Sequence, residues 1–123
     1  MIDSLTLCLS LAIFYEARGE NKVGQYAVAE VIHNRTKHSD YPNDYCSVIK
    51  QKSQFSFVKN LKSLGSAPKY DLEAWKKSVQ VAKDFRQNKT NYVGKALYFN
   101  TTRLGVRYKT EVKPVKIGNH VFY

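Results

Sequence analysis

The sequence is short of acid. Ten Asp and Glu residues stand against 20 Lys and Arg, a formal net charge of +10, and from Tyr45 to Tyr70 there is no Asp or Glu at all. Cysteine is scarcer still. Cys8 and Cys46 are the only two, too few for a disulfide scaffold and without metal-ligand spacing. Because Cys8 lies in an apolar run, a reduced and buried thiol is the expected state, with a Cys8–Cys46 bridge as the alternative. No apolar run reaches the roughly 20 residues a membrane span needs; the longest runs only from Leu5 to Tyr15. Asp3 stands where a signal peptide would be basic, so no cleaved leader is expected, although Ser10-Leu11-Ala12 has some look of a cleavage site. Internal repeats and low-complexity segments are also lacking. These absences speak against a cysteine-stapled miniprotein, an integral membrane protein and a repeat array.

What is present fits a single domain over residues 1–123 that folds on its own, since 43% of the residues are hydrophobic and 13% aromatic. The cationic surplus attracts polyanions over a screening length of about 8 Å at physiological salt. Nucleic acid, teichoic acid, lipopolysaccharide and peptidoglycan carboxylates all qualify, so charge alone does not choose a partner.

Helix signals dominate the first two-thirds of the chain. Leu5–Arg18 reads as a helix capped by Asp3 or Ser4 and stopped at Gly19, apolar on all sides and therefore central in the core. A second helix is expected over Val23–Lys37 with Asn21 as cap, and a short one near Ser47–Lys52. A third long helix runs from Asp71 to Asn88, with Leu72, Trp75, Val79, Ala82 and Phe85 as its apolar stripe. The remainder reads as extended: Ala96–Phe99, then Val112–Ile117 interrupted by Pro114 as an edge strand, then a Gly118-Asn119 turn and a returning strand over His120–Tyr123. The expected class is α+β, helix-dominated, with a small C-terminal antiparallel hairpin or sheet.

Glu16 is the anomaly of the first helix. Helical spacing puts it in line with Leu5, Leu9, Ala12 and Ile13, near a helix C-terminus where negative charge is disfavoured. A carboxylate continuing an apolar stripe is more often functional than decorative. An apolar setting would raise its pKa, as a general acid needs near neutral pH. Spacing alone leaves open that Glu16 simply emerges into solvent. Arg18 faces away from it on a helix, and Gly19 turns the chain before Glu20 comes close.

The residues around Glu16 carry a resemblance. Phe14-Tyr15-Glu16-Ala17-Arg18-Gly19-Glu20 is followed by Gly24-Gln25, Ala27-Val28-Ala29 and Val31-Ile32-His33-Asn34-Arg35. Further on come Gln51-Lys52-Ser53-Gln54-Phe55-Ser56, Ala96-Leu97-Tyr98-Phe99-Asn100 and Ile117-Gly118-Asn119-His120-Val121-Phe122-Tyr123. In content and order these blocks resemble the cell-wall hydrolase family of SleB-like spore-cortex-lytic enzymes, across almost the whole chain. The resemblance implies a lysozyme-like catalytic domain that cuts peptidoglycan between N-acetylmuramic acid and N-acetylglucosamine. It makes Glu16 the catalytic acid/base and implies a lytic transglycosylase or muramidase. No metal or cofactor is implied. The expected partners are peptidoglycan and, by charge, anionic wall polymers, with the protein a monomer acting at the bacterial wall and no evident leader for export.

The acid shortage bears on mechanism. A two-carboxylate glycosidase needs a second Asp or Glu about 5–10 Å from the first, yet the stretch from Tyr45 to Tyr70 supplies none. One glutamate suffices when the muramic 6-hydroxyl is the nucleophile, so transglycosylation is favoured. Glu20 is the secondary catalytic candidate, with Glu30, Asp40 and Asp44 as further possibilities. Gln54, Ser56, Tyr98, Asn100, His120 and Tyr123 are candidate substrate-binding residues, although aromatics on short strands are more often core.

Two other readings stand beside this one. His33, His38 and His120 would have to converge for a zinc amidase cutting the peptide stem, but no H-E-x-x-H spacing exists. Aromatics interleaved with Lys and Arg between Tyr92 and Tyr123 fit a nucleic-acid-binding module, although such a module does not explain the motif blocks, so no specific nucleic-acid partner is expected.

Overall fold

The structure, a computed structural model, describes residues 2–51 and 69–123. Helix α1 spans Ser4–Ala17, and Asp3 caps it by accepting from the Thr6 N–H at 2.8 Å. Its polar residues do not interrupt the core: Ser10 is buried and donates to the Thr6 carbonyl at 2.6 Å. As the all-round apolar pattern requires, α1 is covered on several sides. Leu9, Ala12, Ile13 and Ala17 join the main hydrophobic cluster, while Leu11 and Phe14 pack with Trp75 in a second one.

Helix α2 spans Lys22–Thr36, capped by Asn21, which accepts from the Gly24 N–H at 2.9 Å. Helix α3 covers Tyr45–Ile49, earlier than the expected Ser47–Lys52. The shift follows from Asp44, which accepts from both the backbone and the hydroxyl of Ser47 and so fixes the start. Helix α4 spans Leu72–Gln87, capped by Asp71 from a left-handed conformation with φ 53°. Its buried stripe differs from the expected one. Trp75, Ser78, Val81, Ala82 and Phe85 are buried, whereas Leu72 is 56% exposed and Val79 only half-buried. At about 100° per residue, Leu72 and Val79 fall on one margin of the face that meets α1 and α2.

Three short strands form an antiparallel sheet in the order β1-β3-β2, with β1 at Phe99–Thr101, β2 at Val115–Ile117 and β3 at His120–Phe122. The returning strand is therefore central, and its Phe122 enters the main core. Pro114 directly precedes β2, which is an edge strand as expected. The first strand begins at Phe99, not Ala96, because the backbone ahead of it is held from α2. Asn34 donates to the carbonyls of Gly94 and Ala96, both at 2.9 Å, and Arg35 Nε donates to that of Leu97 at 2.7 Å.

The cysteines are paired, which overturns the reduced state expected from the setting of Cys8. Cys8 on α1 and Cys46 on α3 bring their Cα atoms to 5.2 Å and form a disulfide. Cys8 is buried because it faces α3, and the same contact supplies its partner. The bridge closes a sequence separation of 38 residues, for which unfolded-chain entropy gives a stabilisation of about 2–4 kcal/mol. Thermal unfolding with and without reductant, or of Cys46→Ser, should show a loss of this size. An unchanged midpoint would mean that the α1–α3 contact holds without the bridge.

Candidate functional site

Glu16 lies in the last turn of α1. It is half-buried, and its carboxyl is pushed up from 4.5 to about 6 by burial alone. No cation or donor among the described residues offsets that desolvation. The carboxylate is thus partly withdrawn from water without a neutralising partner among the described residues. Arg18 points elsewhere, as its helical position requires. Its guanidinium lies over the rings of Phe14 and Tyr70, 4.9 and 5.1 Å from their centroids, and 3.9 Å from Asp71.

The other carboxylates raised by the sequence are engaged in holding the backbone. Glu20 comes after the turn that ends α1, with its N–H bonded to the Ala17 carbonyl. Its Oε1 accepts from the Asn119 backbone at 2.7 Å and its Oε2 from the Asn119 side chain at 3.2 Å. Its side chain is 9% exposed and clamps the β2–β3 turn against the corner between α1 and α2. Gly118 in that turn is doubly required: φ is +58°, and an added Cβ would lie 2.7 Å from Glu20 Oε1. Glu30 is buried and accepts from Thr90 Oγ1 and the N–H groups of Tyr92 and Val93 at 2.7–3.0 Å. Asp44 is the α3 cap, and Asp40 is exposed beside His38.

Of the candidate substrate residues, Gln54 and Ser56 lie outside the described residues, as does Phe55. The remaining four are gathered around the sheet. Tyr123 is fully buried; its hydroxyl accepts from Asn100 Nδ2 at 2.6 Å and from the Arg107 N–H at 2.9 Å. Asn100 also donates to the Gly105 carbonyl. Tyr98 is half-buried, with its ring 5.5 Å from that of Tyr123 and 4.9 Å from that of Tyr108. His120 is buried among Phe99 and Phe122, its Nδ1 3.5 Å from Glu20 Oε1. Burial lowers the His120 pKa and Glu20 opposes that shift. Each of these contacts shapes the sheet and the segment between β1 and β2.

Three polar residues that fix the backbone at the end of α1 and ahead of β1 carried no individual role in the sequence reading. Buried Gln25 donates to the carbonyls of Ala17 and Glu20 at 3.3 and 3.2 Å, sealing the open end of α1 beneath Glu16. Asn34 and buried Arg35 anchor the approach to β1. The signal was present in the Gly24-Gln25 and His33-Asn34-Arg35 blocks, but their partners lie far off in sequence. His33 contacts Tyr45, His38 neighbours Asp40 and His120 neighbours Glu20. Among the described residues no group of three His, Cys, Asp or Glu converges as metal ligands would.

Residues 19–123 match the family described as Cell Wall Hydrolase. The chain belongs to that family. Two curated relatives, both spore cortex-lytic enzymes of Bacillus cereus, are 33% identical over 115 residues, which is 90% of this chain and 40% of theirs. The chain thus spans about 40% of the length of these relatives. The solved catalytic domain of the germination-specific lytic transglycosylase SleB from Bacillus anthracis superposes with a TM-score of 0.74 at 29% identity, covering 99% of this chain and 95% of that one. The catalytic domain of the Bacillus cereus SleB protein gives 0.72 at 30% identity, covering 97% and 88%. Both likenesses fit the helix-rich α+β fold with its small sheet. The family match begins just after Glu16, whereas the structural superposition takes in nearly the whole chain.

The clamp predicts a stability effect separable from chemistry. Glu20→Ala strands two donors at the hairpin turn and should cost about 1–3 kcal/mol. Gly118→Ala meets the carboxylate and the left-handed backbone together and should cost at least as much as the roughly 1–2 kcal/mol of the backbone term alone. Urea unfolding of both variants checks this. Wild-type midpoints would show that the turn is held by the sheet alone.

Proposed function

We propose that this cell wall hydrolase cleaves peptidoglycan glycan strands between N-acetylmuramic acid and N-acetylglucosamine as a lytic transglycosylase, with Glu16 as its acid/base. The observation that carries the reading is a half-buried carboxyl raised to about 6 by desolvation, in the first glutamate position of the EARGE block. At neutral pH a useful fraction is protonated and can give its proton to the glycosidic oxygen. The resulting carboxylate then takes the proton of the muramic 6-hydroxyl as that oxygen closes on the anomeric carbon, leaving a 1,6-anhydro end.

Support for transglycosylation over hydrolysis comes from the acid inventory. Hydrolysis by inversion or retention needs a second free carboxylate near the first. Glu20 and Glu30 are taken up by backbone donors, Asp44 by a helix cap, and from Tyr45 to Tyr70 there is none. The solved Bacillus anthracis relative is itself described as a lytic transglycosylase. The Cys8–Cys46 bridge fits work in an oxidising compartment beyond the cytosol, as action on the wall demands. No helix among the described residues is long and apolar enough to cross a membrane.

Glu16→Gln should lower kcat on purified sacculi by about 10²–10⁴-fold, and wild-type kcat/KM should fall as pH rises above about 6. Because the folded pKa is raised, the protonated carboxyl favours the fold. That advantage is complete below the unfolded value of 4.5 and is lost as pH passes through about 6. Glu16→Gln should therefore unfold later than wild type at neutral pH, by up to about 2 kcal/mol, and match it in acid. Mass spectrometry of the digest should give anhydromuramyl ends, and a chelator should leave turnover intact. Reducing ends would assign a hydrolase; retained lysis by Glu16→Gln would remove Glu16 from the chemistry.

A further inference from the structure

The segment joining β1 to β2 has no part in the chemistry proposed for Glu16, yet its surface is unusual. Leu104, Val106 and Tyr108 are 59%, 48% and 56% exposed, three large apolar side chains within a few residues of one another. Arg103, Arg107 and Lys109 alternate with them along the chain and Lys113 and Lys116 follow, all five exposed, against Glu111 as the one acid between β1 and β2. Within 4.0 Å none of the five cations pairs with a carboxylate of a described residue. The backbone beneath is not loose. Leu104 and Gly105 donate to the Thr101 carbonyl, Asn100 donates to the Gly105 carbonyl, and Arg107 donates to the Tyr123 hydroxyl. A segment fixed this well presents its apolar side chains to water, and burial elsewhere would be favourable.

We infer that residues 103–109 form a peripheral membrane-contact surface that takes an anionic lipid bilayer. The chemistry of the patch selects this occupant. Leu104 and Val106 are aliphatic and offer no face for a base or a sugar to stack on. The ring of Tyr108 already lies 4.9 Å from that of Tyr98, tilted by 33°. A purely polyanionic polymer would satisfy the cations and leave both aliphatic side chains in water. A bilayer surface satisfies both: lipid phosphates meet the guanidinium and ammonium groups, Leu104 and Val106 enter the acyl boundary, and Tyr108 sits at headgroup depth.

The test is sedimentation of the full chain with vesicles of phosphatidylcholine containing roughly one-third phosphatidylglycerol, against phosphatidylcholine alone. Binding to the anionic vesicles is expected at low salt, at least tenfold tighter than to the neutral ones. A Leu104→Asp/Val106→Asp double variant should lose at least tenfold in that binding, and so should Arg103→Gln/Arg107→Gln. Both variants should keep the wild-type melting temperature and wild-type turnover of membrane-free sacculi, a readout that separates this surface from the chemistry of Glu16. The inference is overturned if the aspartate variant binds vesicles as wild type does, if soluble teichoic acid or single-stranded DNA is bound equally by wild type and that variant while vesicles are ignored, or if sacculus turnover falls with vesicle binding.

Discussion

A helix without a polar face must be covered everywhere, and the rest of this fold is arranged to cover α1. Helices α2 and α3 close the side carrying Leu9, Ala12 and Ile13, with Phe122 of the central strand joining the same cluster; α4 brings Trp75 against Leu11 and Phe14. The disulfide fastens α3 to the buried helix at Cys8. Glu16 sits in the final turn of that helix. Were α1 an ordinary amphipathic surface helix, a carboxylate there would titrate near 4.5; continued burial moves it to about 6. The raised proton affinity of the carboxyl and the covering of α1 are thus two consequences of one arrangement, and the cost in stability at neutral pH is its counterpart.

The scarcity of acid sharpens that picture. The ten carboxylates can each be placed. Asp3, Asp44 and Asp71 cap helices, and Asp3 also pairs with Arg86 at 2.8 Å. Glu20 and Glu30 accept long-range backbone N–H groups that no regular element would satisfy. Asp84 accepts from Gln80, Glu73 lies 3.9 Å from Lys76, Asp40 lies 3.8 Å from His38, and Glu111 is exposed. Glu16 alone combines desolvation with no compensating contact among the described residues. That setting is what distinguishes it as the candidate acid/base.

What was legible in the sequence was local. Asp3, Asn21 and Asp71 announce their helices because a cap is read within three residues of itself, and Gly118-Asn119 announces its turn for the same reason. Glu16 was legible as a break in an apolar pattern. What escaped depends on residues far apart: Glu30 bonding Tyr92 and Val93, Asn34 and Arg35 holding the approach to β1, and Cys8 finding Cys46. The stripe of α4 was misjudged by a modest rotation, since periodicity shows that a face exists but not where its margins meet a neighbour. Tyr123 and Asn100 are of types that suit sugars, and the bond they make to each other beside the sheet links partners that no local pattern announces.

The charge imbalance tests whether the environment of Glu16 is local or global. A surplus of ten positive charges should lower the pKa of any carboxylate it can reach. Exposed charges act through water and salt, where the interaction fades beyond about 8 Å. Arg18, the cation nearest to Glu16 in sequence, is held over Phe14 and Tyr70 and does not appear among the influences on its pKa. Desolvation acts on the carboxyl directly and is not screened, so it prevails, and the shift is upward in spite of the net charge. The two electrostatic features of the chain therefore do not compete. The surface cations act through screened solvent, while burial in the last turn of α1 sets the proton affinity of Glu16.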